Sequence, residues 1–195
     1  RMLASLRPRQ ILTALSLVMN KWLRFNPRLR GERETIGMAR HIMGRTPWDR
    51  AQAWAINPDA GYYHCGRTLR EPFYITRWQG QDSERHEIFA GNAAVALKGI
   101  HILLEALVLL RKDYPDARLV IAGERPCAQR SRFKRLVGYS AYLMDRITQL
   151  GLESQVEFTG VLGAGDMAAR MAASHVYVMA SVIENSPNTL GEAMM

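Results

Sequence analysis

Short apolar runs alternate with longer amphipathic stretches from residue 87 to the end of the chain. The apolar runs have the length of buried strands, and they cover residues 88–91, 118–123, 156–160 and a segment that starts at residue 176. The amphipathic stretches predict helices at residues 99–114, 133–150 and 167–173, with a further helix at the end of the chain. Strands separated by helices of this length predict a parallel, doubly wound α/β sheet with right-handed crossovers.

The predicted strands all lead into loops that contain glycine or polar residues. In an open parallel sheet, ligands bind in the crevice beyond the carboxyl ends of the strands. The residues at these ends are Gly91 and Asn92, Gly123 and Glu124, Gly160 and Val161, and the segment 181–184. The sequence therefore predicts one binding site that is assembled from several strand ends.

The last of these loops carries two carboxylates, Glu184 and Glu192, on either side of a polar turn. Pro187 suits the first position of a helix there, and either Ser186 or Asn188 could cap that helix. A strand, a short loop and a helix N-terminus in this order form an anion site, because free backbone N–H groups and the helix dipole converge on it. The carboxylates must be offset from a phosphate, where they can accept hydrogen bonds from hydroxyls. Phosphate beside hydroxyls is the chemistry of a nucleotide sugar.

The motif Glu184-x7-Glu192, together with Lys98-Gly99 at the start of a predicted helix, resembles the donor-binding half of the retaining family-4-type (group 1) glycosyltransferases of GT-B fold. The segment from residue 184 reads Glu-Asn-Ser-Pro-Asn-x-Leu-Gly-Glu-Ala-Met, which is similar to bacterial members that act in polysaccharide assembly. The similarity runs from about residue 44 to the last residue.

The resemblance implies that the chain is a fragment with two parts. Residues 1–77 would be the C-terminal part of the acceptor domain, residues 78–86 a linker, and residues 87–195 a Rossmann-like donor domain truncated at its C-terminus. The chain also begins at Arg1 rather than methionine and ends inside a predicted helix, as expected of a fragment.

The resemblance further implies a role for each polar residue of the site. Lys98 would stabilise the departing diphosphate and Glu184 would accept hydrogen bonds from the transferred sugar, so these two are the implied catalytic residues. Glu192 would accept hydrogen bonds from the ribose hydroxyls. The other implied donor-binding residues are Gly91, Asn92, Asn185, Ser186, Asn188, Thr189 and Leu190, and the base would lie beside Glu124 and Val161.

These residues also have purely structural explanations. A lysine at a helix start often extends into water, an acid in the first turns of a helix is favoured by the dipole, and loop acids are usually solvated. Position 92 departs from the family, which commonly has an arginine there. With Asn92 in its place one cation is missing, so Lys98 and the helix N-terminus would have to carry most of the phosphate charge.

Basic residues are concentrated in the first quarter of the chain. Residues 1–50 contain 11 Lys and Arg against 3 acidic residues, which accounts for the whole formal charge of +8. Such a patch suits nucleic acid, anionic lipid or a phosphorylated acceptor, or is simply a solvated surface. Residues 10–25 have the period of an amphipathic helix, which either lies on an anionic membrane or packs against a core with one solvated face.

Further elements are expected between this helix and the predicted linker. They are a short helix at residues 32–40, a strand at residues 41–43, a helix capped by Thr46 that ends near Asn57, and an irregular aromatic stretch at residues 61–74. Cys65 and Cys127 lack metal-ligand spacing, so a disulfide framework or zinc site is not expected. No run of 18 apolar residues is present.

These observations and the resemblance lead to one functional hypothesis and one alternative. The hypothesis is a cytoplasmic, metal-independent glycosyltransferase that needs no cofactor and no nucleic acid. It would move a sugar, with retention, from a nucleotide diphosphate sugar to a glycan or lipid-linked acceptor in polysaccharide biosynthesis. The basic helix could hold it at the inner face of the plasma membrane. The alternative is a non-catalytic basic module that docks on a membrane or another protein.

Overall fold

The computed structural model of the chain describes residues 11, 14–15, 18–126 and 138–195. Its strands are β1 (His41–Gly44), β2 (Gly61–His64), β3 (Glu84–Ala90), β4 (Arg118–Ile121), β5 (Val156–Phe158) and β6 (Ser174–Val178). Its helices are α1 (Asn26–Met38), α2 (Pro47–Trp54), α3 (Pro72–Ile75), α4 (Ile100–Leu110), α5 (Tyr139–Gln149), α6 (Ala164–Ala173) and α7 (Asn188–Ala193).

The larger sheet has four parallel strands in the order β5-β4-β3-β6. On one face, α4 and α5 bury leucines such as Leu104 and Leu143. On the other face, Met167 and Met171 of α6 pack with Phe89 of β3. Successive strand residues point to opposite faces of the sheet, so each face presents apolar side chains. Helices cover both faces. The prediction of a parallel, doubly wound α/β sheet is confirmed, with helix and strand ends that differ by a few residues.

A smaller sheet pairs β1 and β2 in parallel through the intervening helix α2. The predicted cap of α2 is confirmed, since Thr46 and Asp49 form a reciprocal capping box. The prediction of an irregular stretch from residue 61 is wrong for residues 61–64, which form β2. Tyr62 holds this strand in place, because its hydroxyl donates to the carboxylate of Asp49 and to the carbonyl of Thr46.

The predicted linker at residues 78–86 is too long, because β3 already begins at Glu84. The polar residues that suggest a linker are paired across the sheet. Arg118 donates to Glu84 at 2.9 Å, and the fully buried Glu87 forms an ion pair with Arg118 at 2.9 Å and accepts a hydrogen bond from Arg170 at 2.7 Å. A buried carboxylate is tolerated when it is paired and hydrogen-bonded, which explains an acid in a central strand. Within the predicted linker, a single 3-10 turn at Gly80–Asp82 precedes β3.

The basic N-terminal segment is helical from residue 18 through Met38, so the expected separate helix at residues 32–40 is wrong. A π-helical turn, Lys21–Phe25, precedes Pro27, which has no N–H to donate to the preceding turn. Trp22, Leu23 and Phe25 are each about two-thirds exposed. The apolar face of this helix therefore has no covering partner among the residues that the structure describes.

Some predictions fall outside the described residues. They concern residues 10, 12–13 and 16–17 of the first helix, Cys127, and the first residues of the helix predicted at 133–150. Within the described ranges, the helices are too short or too polar to cross a membrane.

Candidate functional site

A cavity of about 700 Å³ lies beyond the carboxyl ends of β3, β4 and β5. Six of the sequence-predicted residues line it, namely Gly91, Asn92, Gly123, Glu124, Val161 and Thr189. Arg70, which the sequence did not indicate, lines it as well. The expectation that the strand ends converge on one cleft is confirmed for β3, β4 and β5, and the cleft is large enough for a small ligand.

A smaller cavity of about 80 Å³ adjoins this cleft at the end of β6. Lys98, Glu184 and Tyr177 line it, and it shares Gly91, Asn92 and Thr189 with the larger cavity. The two residues expected to be catalytic therefore lie together, next to the cleft rather than in its lining.

Lys98 and Glu184 form an ion pair across 86 positions of the chain. The Nζ atom of Lys98 donates to Oε1 of Glu184 at 2.5 Å, and the side chains are 39% and 21% exposed. The hydrogen bond from Lys98, helped by one from Ser181, lowers the pKa of the Glu184 carboxyl below its ordinary value. The Glu184 carboxyl is therefore ionised at neutral pH, and both side chains line the small cavity that adjoins the cleft.

Gly99 fixes the position of Lys98. It is the N-cap of α4 and adopts the left-handed conformation, with φ of 69°. A Cβ atom built on Gly99 would lie closer than 3.0 Å to the carbonyl oxygen of Ala180, at the end of β6. Glycine is thus required both for the backbone conformation and for the close approach of the two chains. This approach brings Lys98 next to the loop that carries Glu184.

Asn92 closes the loop that follows β3. Its side-chain oxygen accepts a hydrogen bond from the backbone N–H of Ala94 at 2.6 Å. Tyr177 lines the same small cavity, and burial raises the pKa of its hydroxyl while a hydrogen bond with Thr189 opposes that rise. The small cavity therefore combines neutral hydrogen-bonding groups with the Lys98 side chain.

Glu192 is buried, and both of its oxygens are bound by Arg70. Nε of Arg70 donates to Oε1 at 2.7 Å and Nη2 donates to Oε2 at 2.8 Å, while the Glu192 side chain is only 1% exposed. Glu192 lines neither the large cavity nor the small one. The carboxylate that is expected to contact ribose is thus occupied by a cation from a segment 122 positions earlier.

The loop residues before α7 contact the turn between β1 and α2. Oγ1 of Thr46 donates to Oδ1 of Asn185 at 2.6 Å, and Nδ2 of Asn185 donates to Asp49 at 3.1 Å. Nη1 of Arg45 donates to the carbonyl oxygen of Ser186 at 3.4 Å. Hydrogen bonds from Tyr62, from the Arg45 backbone and from Asn185 hold the pKa of the Asp49 carboxyl well below its usual range. This network anchors the loop that carries Glu184.

Helix α7 differs in detail from the expected helix start. Pro187 is the N-cap rather than the first helical residue, and neither Ser186 nor Asn188 caps the helix through its side chain. Ser186 instead has a positive φ of 56°, which turns the chain toward the β1–α2 turn. Asn185, Ser186, Asn188 and Leu190 line neither cavity.

Sequence reasoning missed two contributions to this site, Arg70 and the turn at residues 45–49. Arg70 lies in a stretch without periodicity, and only its partner Glu192 is part of a recognisable motif. The sequence predicts the capping box of Thr46 and Asp49 from neighbouring residues alone. Its hydrogen bonds with Asn185 span more than 130 residues. No local pattern indicates either contact.

Comparison with known proteins gives one family match and a set of similar folds. The family described as Glycosyl transferases group 1 matches residues 84–195. A search of curated protein sequences finds no match.

Among solved structures, sucrose-phosphate synthase from Thermosynechococcus elongatus superposes with a TM-score of 0.67 at 18% identity, over 89% of this chain and 43% of that one. Anabaena HepE, solved with UDP and glucose, gives a TM-score of 0.65 at 18% identity, over 85% of this chain and 45% of that one. WaaG, a glycosyltransferase involved in lipopolysaccharide biosynthesis, gives a TM-score of 0.57 at 16% identity, over 78% of this chain and 41% of that one. At these identities the likeness establishes a GT-B type fold, and the chain spans less than half the length of these structures.

Proposed function

Because the chain belongs to the glycosyl transferases group 1 family, we propose that its cleft binds a nucleotide diphosphate sugar and that the protein transfers the sugar to a glycan or lipid-linked acceptor. The observation that carries the proposal is the Lys98–Glu184 pair beside a cleft at the carboxyl ends of parallel strands. A cation suits the diphosphate and a carboxylate suits sugar hydroxyls. The cleft itself is large enough for the nucleoside.

In this proposal each residue has one task. Lys98 stabilises the negative charge that the diphosphate gains as its bond to the sugar breaks, which is electrostatic catalysis by a fixed cation rather than by a bound metal. Glu184 orients the sugar by accepting from its hydroxyls, and the acceptor oxygen forms the new bond with retention at the anomeric carbon. Asn92 and Thr189 donate hydrogen bonds to the phosphates, and Glu192 accepts from the ribose.

The remaining assignments follow from the same scheme. Glu124 and Val161 lie in the lining of the large cavity, where they would flank the base. The backbone N–H groups of Asn185, Ser186, Asn188 and Leu190, which line neither cavity, would reach the diphosphate only after the loop shifts from its contacts with the β1–α2 turn. The part of the chain before β3 would belong to the acceptor domain. We further propose a cytoplasmic role in polysaccharide biosynthesis.

A thermal-shift panel of UDP-, GDP- and ADP-sugars on the full-length protein tests this proposal. The nucleotide sugars that carry one of the three bases should raise the Tm of the protein, since a ligand at 100 times its Kd stabilises the native state by about 2.7 kcal/mol. A matched panel on Glu184→Gln should retain the shift from the free nucleoside diphosphate and lose the additional shift from the attached sugar. A wild-type protein that no nucleotide sugar stabilises would contradict the proposed function.

A membrane-associated acceptor is favoured by the exposed N-terminal helix. Trp22, Leu23 and Phe25 lie in a basic segment, and their side chains are uncovered in the described part of the chain. Attraction to an anionic surface contributes about 1 kcal/mol per Lys or Arg, so several such residues hold a protein reversibly. We expect the full-length protein to sediment with anionic liposomes at low salt and far less with neutral ones. Equal sedimentation with both would rule out this contact.

A further inference from the structure

Arg70 is held in a defined orientation at the edge of the large cavity. Glu192 binds two of its nitrogens, and the guanidinium carbon lies 4.9 Å from the centre of the Phe73 ring. Phe73 and Glu192 are both buried, whereas the Arg70 side chain is 43% exposed. Because its partners are buried and its own side chain is exposed, Arg70 presents a fixed cation to the large cavity.

The remaining nitrogen of Arg70, Nη1, makes no hydrogen bond to any residue that the structure describes. An arginine fork pairs with either a carboxylate or a phosphate through parallel N–H donors, and these two partners are therefore interchangeable in geometry. Arg70 can therefore exchange a carboxylate partner for a phosphate and remain bound through two N–H donors.

The same arrangement occurs on the other side of Thr189. There Glu184 is paired with Lys98, so each carboxylate of the Glu-x7-Glu motif has a cationic partner. A nucleotide sugar can bind all four side chains of the two pairs. Its phosphates attract the two cations, and its hydroxyls donate hydrogen bonds to the two carboxylates. In such an exchange the ribose hydroxyls would donate hydrogen bonds to the buried Glu192 in place of the Arg70 donors.

We propose that Arg70, which pairs with Glu192 and lines the large cavity, is a further donor-binding residue that turns to a phosphate of the nucleoside diphosphate when the donor binds. This turn frees Glu192 for the ribose hydroxyls. The inference rests on the proposed function, because it assigns a second phosphate-binding cation to the same cleft. It also supplies a cation near Asn92, which is itself neutral and lines the same cavity.

Calorimetry on the full-length protein with UDP, GDP and ADP, and with the matching nucleosides, tests the inference. In Arg70→Gln, affinity for the preferred nucleoside diphosphate should fall by about ten- to a hundredfold, the range for a lost charge-assisted hydrogen bond. Affinity for the nucleoside alone should stay the same or rise, because the neutral amide competes less for Glu192. If Arg70 only supported Glu192, both affinities would fall together, and the inference would be overturned.

Two further variants make the experiment independent of folding defects. Arg70→Lys keeps the charge without the fork, so it should retain part of the diphosphate affinity and the full nucleoside affinity. Arg67→Gln removes an equal charge from an exposed position that does not line the cleft, and it should bind like wild type. Wild-type diphosphate affinity in both Arg70 variants would overturn the inference alone, whereas a wild-type protein that binds no nucleotide would overturn the proposed function itself.

Discussion

Replacement of Lys98 by alanine should lower kcat for sugar transfer by about 10²- to 10³-fold, the loss found when one preorganised charge-stabilising donor is removed from an active site. The physical reason is that Lys98 pairs with Glu184 beside the cleft and, in the proposed function, contacts the departing diphosphate. The affinity for the free nucleoside diphosphate should also fall, because the product carries the same phosphates. Steady-state transfer assays and calorimetry measure the two effects.

The accompanying variants separate charge from geometry. Lys98→Arg should recover only part of the activity, since a planar fork does not replace a compact ammonium. Lys112→Ala removes the same charge from an exposed position outside both cavities and should behave like wild type. If Lys98→Ala retained wild-type turnover and diphosphate affinity, the role of Lys98 at the leaving group would have to be withdrawn.

Replacement of Gly99 by alanine should destabilise the protein by about 2–5 kcal/mol, which combines the left-handed backbone penalty with the cost of an overpacked contact. The added Cβ would overlap the Ala180 carbonyl, so α4 and the end of β6 would have to separate. Lys98 precedes Gly99 directly, and donor binding should therefore weaken along with stability. Denaturant unfolding gives the first quantity and calorimetry the second.

Gly165→Ala is the matched control for this change. Gly165 lies in α6, and nothing lies within 4 Å of the position of an added Cβ. Alanine should stabilise that helix by about 0.5–1 kcal/mol because it restricts the unfolded chain. An unfolding free energy for Gly99→Ala equal to that of wild type would show that the contact with Ala180 is not tightly packed.

The parts of the fold that the sequence predicts are those with a local physical cause. The alternation of apolar strands and amphipathic helices after residue 87 follows from burial on both faces of a parallel sheet, and the capping box at Thr46 follows from hydrogen bonds within four residues. The linker prediction includes Glu84, although this residue begins a central strand, where it and the buried Glu87 are tolerated through ion pairs with Arg118 and Arg170. Those partners are distant in sequence, and local composition does not reveal them.

Local sequence patterns likewise predict only part of the candidate site. The glycine and polar loops at the strand ends are visible in the sequence, and they indicate the cleft with Asn92, Glu124 and Val161. The pairing of Arg70 with Glu192 depends on how two segments 122 positions apart meet in space. Short-range patterns cannot specify that contact, so the occupied state of the Glu192 carboxylate emerges only from the structure.

The internal pair of Lys98 and Glu184 has a consequence for the end of a catalytic cycle. Under the proposed function, a diphosphate bound to Lys98 would compete with the Glu184 carboxylate, whose Oε1 lies 2.5 Å from Nζ of Lys98. Re-formation of that ion pair would then favour departure of the spent nucleotide. A built-in counter-ion of this kind would limit product inhibition.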